Sequence, residues 1–274
     1  MTSPDSSFGE FERAGWESAG VVAGYDALLS GVTAQSIDAL LDAGNVRAGM
    51  HVLDVATGAG HVAGAAARRG ADATGIDFSA AQVALARSRF PDVRFEQADA
   101  QALPFERETF DAVVNAFGLC HLSGPERALG EAFRVLKHGG RIAFTVWDAP
   151  ERTVGFGAFY AAVRAHGSLD VGLPEGPGFF ELSDPRRSLD ALRGAGFASP
   201  SCRTVPHVWR VSDPDEVFET IAQATVRAAA VLRAQSAPAR EAIGAALRNA
   251  IAAYKRGQCF EVPMPALLAS AVKP

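Results

Sequence analysis

Asp77 and Asp99 are the residues whose chemistry stands out, because each carboxylate stands at the end of a short predicted strand. A carboxylate at the end of a strand accepts hydrogen bonds well from the paired hydroxyls of a ribose. Asp77 stands 17 positions after Gly60, close to the spacing such a contact takes. Gly58 and Gly60 let a backbone turn tightly and approach a bound molecule. A helix opening near His61 would aim its free N–H groups at the same molecule. The chemistry implied is the cradling of a nucleoside.

Those residues need a strand, a glycine turn, a helix and a second strand to hold them. HVLDVATGAG (51–60) supplies the first strand through Val52, Leu53 and Val55, an Ala/Arg helix follows, and TGID ends the second strand. Gly58, Gly60 and Ala63 also satisfy the dinucleotide fingerprint in its GxGxxA form, so these elements alone leave a nicotinamide-dependent oxidoreductase and a methyltransferase both open. The next stretch separates them. Asp99 follows Asp77 by 22 positions, beyond a short third strand from Val93 to Gln97. FDAVVNAFGLCHL (110–122) is a fourth strand with Asn115 near its end, and PERALGEAFRVLKHGGRIAFTVW (125–147) is a helix, a Gly-Gly turn and a fifth strand. Ser79 with Gln82, and Ser123 with Glu126, read as capping boxes, and Gly139 and Gly140 read as the stop of the later helix. A short-chain oxidoreductase would want a Tyr with Lys four positions on, and none of Tyr25, Tyr160 or Tyr254 has one.

Taken together, residues 45–148 resemble a class I S-adenosylmethionine-dependent methyltransferase of the ubiquinone/menaquinone-biosynthesis kind, methyltransferase type 11. The resemblance implies an α/β fold: a Rossmann-like doubly wound sheet, mainly parallel with an antiparallel last strand, with a helical cap and insertions. It implies S-adenosyl-L-methionine as donor and S-adenosyl-L-homocysteine as product. By the same resemblance Gly58 and Gly60 would line the methionine and ribose part of the cofactor, Asp54 would lie under its amino-acid moiety, and Asp77 would hold the ribose hydroxyls. Phe78 would flank the adenine, Asp99 would accept from its exocyclic amine, and the Ala100 backbone would meet a ring nitrogen. Asn115 and Phe117 would form the floor below the sulfonium, and Tyr25 would close over the methionine end. Where the family commonly has its first glycine this chain has Ala56 and Thr57; Ala56 keeps the cofactor-binding place with the smallest side chain.

Methyl transfer to a hydroxyl or protonated amine needs a base, and histidine suits neutral pH. His121, just beyond the fourth strand, is the first candidate and His207, beside Trp209, the second; the alternatives are a structural histidine and an ordinary half-exposed strand residue. His61 shapes the cofactor wall. The acceptor expected is a small apolar or aromatic metabolite, methylated on oxygen rather than nitrogen or carbon. A nicotinamide-dependent oxidoreductase, and a cofactor-binding cyclase or regulator that does not methylate, stand as the other readings.

The 274 residues are 48% hydrophobic and 21% charged, the balance of a folded globular protein, and the net charge of −5 argues against nucleic acid as partner. The first ten residues lack the basic leader and apolar stretch of a secretory signal, no run is long enough to span a bilayer, and Cys120, Cys202 and Cys259 fit neither a disulfide framework nor a metal site, which together predict a cytoplasmic protein with no metal. Residues 1–10 read as a loose tail, 1–44 as a helical lid, and 45–274 as the core, with acceptor-side insertions at about 149–182 and 213–258. A helix is expected over 154–166, a Gly/Pro-rich loop over 167–178, a short helix over 188–197, a sixth strand over 201–211 and a returning strand over 266–272. Phe179 and Phe180 either gate the acceptor or anchor their loop, and the apolar face of the second insertion serves acceptor, cap or homodimer contact.

Overall fold

Both faces of the central strands are apolar, and a sheet of that kind needs helices on both sides. The computed structural model describes residues 4–274. The N-terminal helices α1 (Pro4–Trp16), α2 (Ala19–Leu28), α3 (Ser30–Thr33) and α4 (Ile37–Ala43) lead into an alternation of strand and helix. This runs β1 (His51–Val55), α5 (His61–Arg68), β2 (Asp72–Asp77), α6 (Ala80–Arg89), β3 (Arg94–Gln97), β4 (Phe110–Ala116), α7 (Pro125–Val135), β5 (Leu136–Trp147), α8 (Val154–His166), α9 (Pro185–Gly194) and β6 (Ala198–Val205). Then come β7 (Val208–Val211), α10 (Asp215–Ala224), α11 (Arg227–Arg233), α12 (Ala237–Ala252), β8 (Lys255–Arg256), β9 (Cys259–Pro263) and β10 (Ala266–Val272).

The large sheet has the order β3-β2-β1-β4-β5-β10-β6. β1, β2, β3, β4 and β5 pair in parallel, and β10 runs antiparallel to both its neighbours, so the expected Rossmann-like doubly wound sheet with an antiparallel last strand is what the chain forms. Period-two alternation assigns the faces. Leu53, Val55, Val113, Ile142, Phe144 and Leu267 pack with α7 and α9, while Val52, Val114, Ala143 and Leu268 pack with α4, α5 and α6. The strand order reverses between β1 and β4, and the crevice at the carboxyl ends of those strands is where such a sheet takes ligands.

A third apolar cluster lies beyond the sheet. It joins α8, α10, α11 and α12 with Trp209 and Val262 of a small second sheet, β7-β9-β8, and with Met264 just beyond it. Leu29 and Val32 from the N-terminal helices are buried in the same cluster.

Several local expectations give way to packing. The tail predicted for residues 1–10 is helical from Pro4, with residues 1–3 outside those described, because Phe8 is buried against Gly176 and beneath the Arg227 guanidinium. Ser123 caps no helix: α7 starts at Pro125 behind Gly124, and the Ser123 hydroxyl donates to Gln101 instead. Ser79 does cap α6, accepting from the Gln82 N–H. Gly139 and Gly140 lie inside β5, where Gly139 takes φ +77 at a register shift against β4; the helix has already ended at Val135. The strand predicted over 201–211 divides at Pro206 and His207, β6 joining the large sheet and β7 the small one, since proline offers no N–H to continue the ladder. The second insertion is not wholly helical, for residues 255–263 form the hairpin β8–β9 that pairs with β7.

Candidate functional site

The turn after β1 is the foundation of the site. Asp54 is buried at the strand's end, and its Oδ2 accepts from the Thr57 hydroxyl at 2.6 Å and the Ala63 N–H at 3.0 Å. These two bonds tie strand, turn and first helical turn together. Ala56 at φ +54, Gly58 at φ +53 and Gly60 at φ +83 let the chain reverse; Ala56 does so with a Cβ, a strained conformation of the sort that persists at ligand sites. A Cβ on Gly60 would strike Phe95 at 2.8 Å, so this glycine serves close packing against β3 and α6. Gly58 leaves its backbone open, with only Gln82 near a Cβ, at 3.9 Å.

Asp77 closes β2. Its Oδ2 accepts from the Gly58 N–H at 2.9 Å and its Oδ1 from the Ser79 N–H at 3.0 Å. Burial pushes its carboxyl up to about 6, against the two backbone bonds, and pushes Asp54 up to about 7, against Thr57 and Ala63 and with the charge of Asp77 adding to the effect. Asp54 Oδ1 has no hydrogen-bond partner among the described residues.

At the end of β4 Asn115 shapes a second turn from within. Its Nδ2 donates to the Val55 carbonyl at 2.7 Å and its Oδ1 accepts from Gly118 and Leu119, leaving Phe117 at φ +58. Beyond it a 3-10 turn, Leu119–His121, carries His121. The roof comes from the N-terminal helices: Trp16 and Tyr25 meet edge to face at 5.4 Å, and Asp26 holds α2 to the core through Arg89, at 2.6 and 2.7 Å, and His61, at 3.1 Å. Burial pushes the Tyr25 phenol up to about 12, against a hydrogen bond with Thr33.

These turns and helices line a cleft of about 830 Å³ that opens to solvent. Beside it lies a second chamber of about 410 Å³ walled by Leu29, Trp147, Phe156, Phe179 and the start of α11, and Trp16, Tyr25, Phe117 and His121 form walls of both. One buried ion cluster stands at that junction. Glu12 Oε2 lies 2.9 Å from His121 Nδ1 and accepts from the Trp16 indole at 3.2 Å, while its Oε1 lies 3.3 Å from Arg227 Nε and Nη2. Burial would raise the Glu12 carboxyl, but His121 and Arg227 hold it below its usual range. Burial works against the His121 charge, yet the Cys120 sulfur and Glu12 outweigh it and push the ring up to about 10.

Of the residues singled out in the sequence, Tyr25, Asp54, Ala56, Gly58, Asp77, Phe78, Phe117 and His121 line the cleft. Gly60 and Asn115 stand behind it as supports of the two turns. Asp99 and Ala100 are not among the lining residues; Asp99 is half exposed, accepts from the Gln101 N–H and faces Arg13 at 3.8 Å, whose guanidinium sits 5.4 Å over the Phe78 ring. His207 lines neither space and is not half-exposed: it is buried behind Phe117 and Trp147. Phe179 lines the chamber and packs on Phe156 and Phe180, the packing expected of a ring that anchors its loop. Sequence reasoning missed Glu12 and Arg227. Their one signal is charge at helical positions otherwise turned to the core, Glu12 beside Phe8 and Trp16 and Arg227 before an unbroken Ala/Val/Leu run. Among the described residues no group of three or more His, Cys, Asp or Glu is placed to hold a metal ion, and no helix is long and apolar enough to cross a membrane.

Comparison with known proteins bears on this geometry. Residues 53–144 match the family described as methyltransferase domain. Over 125 residues the chain is 38% identical to the demethylmenaquinone methyltransferase of Renibacterium salmoninarum, covering 46% of this chain and 53% of that one. It is also 38% identical over 119 residues to the ubiquinone/menaquinone biosynthesis C-methyltransferase of Idiomarina loihiensis, covering 40% and 47%. The chain spans about half the length of the curated relatives it matches. Among solved structures, phosphoethanolamine N-methyltransferase 2 of Haemonchus contortus, in complex with phosphomonomethylethanolamine and S-adenosylhomocysteine, has a TM-score of 0.61 at 19% identity, covering 98% of this chain and 60% of that one, a likeness of fold.

Proposed function

Because residues 53–144 carry a methyltransferase domain, we propose that this chain binds S-adenosylmethionine in its cleft and transfers the methyl group to a small aromatic metabolite held in the adjoining chamber. The observation that carries this reading is the shared wall, Trp16, Tyr25, Phe117 and His121, through which two differently built spaces meet. The cleft suits the cofactor. Asp77 offers a carboxylate already oriented by two backbone N–H groups, Gly58 presents open backbone, and the unpartnered Asp54 Oδ1 is an acceptor for a cationic ligand. When bound, the cofactor supplies a methyl already activated on a sulfonium. The chain's work is then to hold, align and keep dry. Asp77 would bind the ribose hydroxyls, Phe78 would pack on the base, Tyr25 and Trp16 would cover the methionine end, and Phe117 would separate donor from acceptor. Residues 1–44 would act as the lid of this arrangement.

For the atom methylated we favour carbon over the oxygen expected from the sequence. The relatives' names support this, one being a C-methyltransferase. So does His121, the first candidate for a base: paired with Glu12 and pushed up to about 10, it keeps its proton at neutral pH and is not poised to take one. His207, the second candidate, lines neither space.

Calorimetry with S-adenosylhomocysteine and NADH in parallel tests the cofactor, and transfer of a labelled methyl to a panel of phenols and naphthols tests the reaction. S-adenosylhomocysteine should bind and NADH should not, with label appearing on ring carbon. Preference for NADH overturns the reading. Cofactor binding without transfer to any of the panel would instead favour the protein that holds this cofactor without methylating.

A further inference from the structure

The chamber beside the cleft is apolar on most sides, and its charge is concentrated at Arg227 and His121. Glu12 answers only one of these. Arg227 and His121 share one carboxylate, Glu12, in a largely apolar wall; the other carboxylate that acts on His121, Asp77, lines the cleft rather than the chamber and is tied to the Gly58 and Ser79 N–H groups, so an anion in the chamber meets the guanidinium. Arg227 is held rather than free to swing out. Its Nη1 donates to the Pro177 carbonyl at 2.8 Å, its Nη2 to the Cys120 carbonyl at 2.8 Å, and its Nε and Nη2 face Glu12. Four of the five guanidinium N–H groups are thus engaged, and one on Nη1 has no partner among the described residues. The groups packed around His121 are Glu12 and Trp16 from α1, Cys120 from its own turn and Phe179 from the loop before α9, with Glu12 the carboxylate in contact.

We propose that Arg227 and His121, fixed in place by Glu12, form a subsite for an oxyanion carried on the acceptor's aromatic ring, a phenolate or a carboxylate. The proposal rests on the methyltransferase reading above and names the class of acceptor it would take. For a phenolate the oxyanion has a chemical consequence: it raises the nucleophilicity of the ortho and para carbons, one of which takes the methyl as the S–CH3 bond breaks and S-adenosylhomocysteine leaves, and the proton on that carbon then passes to the ring oxygen by tautomerisation, so no separate base is needed; a carboxylate would serve for binding alone. Because His121 is a wall of both spaces, the oxyanion would lie near the junction, with the ring body among Phe156, Phe179 and Trp147.

The test uses the full chain saturated with S-adenosylhomocysteine and three probes of similar size: 4-nitrophenol, 4-nitrobenzoate and the uncharged nitrobenzene. The anionic probes should bind at least about tenfold more tightly than nitrobenzene, and nitrophenol should show its visible phenolate band at a pH below its own solution pKa. Tighter nitrobenzoate marks a carboxylate subsite and tighter nitrophenolate a phenolate one. Arg227→Gln should remove the preference while nitrobenzene binding stays the same. Glu12→Gln removes the opposing charge beside Arg227 while lowering the pKa of His121, so the preference for the anionic probes should persist through Arg227, whereas a merely structural cluster would show no such preference in either protein. Should Arg227→Gln fail to fold, the doubly neutral E12Q/R227Q variant serves in its place. Equal binding of all three probes, or loss of anion binding in Glu12→Gln, overturns the subsite while S-adenosylhomocysteine still binds. If S-adenosylhomocysteine does not bind the unmodified chain, the methyltransferase reading falls with it.

Discussion

Asp77 is a buried carboxylate pushed up to about 6, and a ligand that donates hydrogen bonds to it must find it ionised. Cofactor affinity should therefore fall as pH drops, first through about 7 as Asp54 takes a proton and then through about 6 as Asp77 does, because protonation removes each acceptor. Calorimetry with S-adenosylhomocysteine across that range measures this. Asp77→Asn should weaken binding by about 1–3 kcal/mol and remove the step near pH 6 while leaving the one near 7; a variant with unchanged affinity and slope would remove Asp77 from the cofactor's partners. Such residues are legible in sequence because one strand and one turn fix them: Asp54, Gly58, Asp77 and Phe117 all lie within a few positions of a strand end. Glu12 and Arg227 are not legible in that way. They are 215 positions apart and meet beside His121 because α1 and the start of α11 approach one another there, information that no local pattern contains.

At the scale of elements, the roof of the site depends on how closely the N-terminal helices approach the inserted ones. Gly15 of α1 lies so near Val226, just before α11, that a Cβ would come within 2.4 Å of a valine methyl, and a Cβ on Gly24 of α2 would lie 3.2 Å from the Gln223 carbonyl of α10. Helix α1 carries Glu12 and the residue after Val226 is Arg227, so the close approach at Gly15 sets the ion cluster. Gly15→Val should force the helices apart, costing about 1–3 kcal/mol and lowering the pKa of His121 as Glu12 withdraws. Thermal unfolding and an imidazole NMR titration read the two effects, and an unchanged His121 titration would detach the cluster from the helix contact. The sheet itself was readable from the period of its apolar residues, as was the helix at 154–166. The start of α1 and the β7-β9-β8 sheet were not, because Phe8 and the short strands at 255–263 are ordered by distant partners rather than by their own pattern.

The large sheet, the small sheet and the two spaces of the site meet near His207, which makes its environment a property of the whole molecule. Its backbone carbonyl accepts from Met264 at 2.9 Å, joining the β6–β7 crossing to the strand before β10, and its ring lies 5.9 Å from Phe117 and 6.5 Å from Trp147. Only 2% of the residue is exposed and neither ring nitrogen has a partner among the described residues. Burial pushes its pKa down to about 4. For a histidine depressed in the folded state the sign is fixed: the unfolded chain takes up the proton first, so the stability is present above the unfolded value near 6.5 and is lost as pH falls from there through about 4. At 1.36 kcal/mol for each unit, the loss attributable to this one ring is on the order of 3 kcal/mol. His207→Leu keeps an apolar side chain beside Phe117 and Trp147 and cannot charge. Urea midpoints followed from about pH 7 to about pH 4 should therefore fall more steeply for the unmodified chain than for the variant, the difference opening below about 6.5. Glu12, held below its usual range, loses its own contribution further into acid and does so in both proteins, so it cancels in the comparison. Parallel curves would mean that the folded chain accommodates the imidazolium, by opening the packing between the two sheets at Phe117.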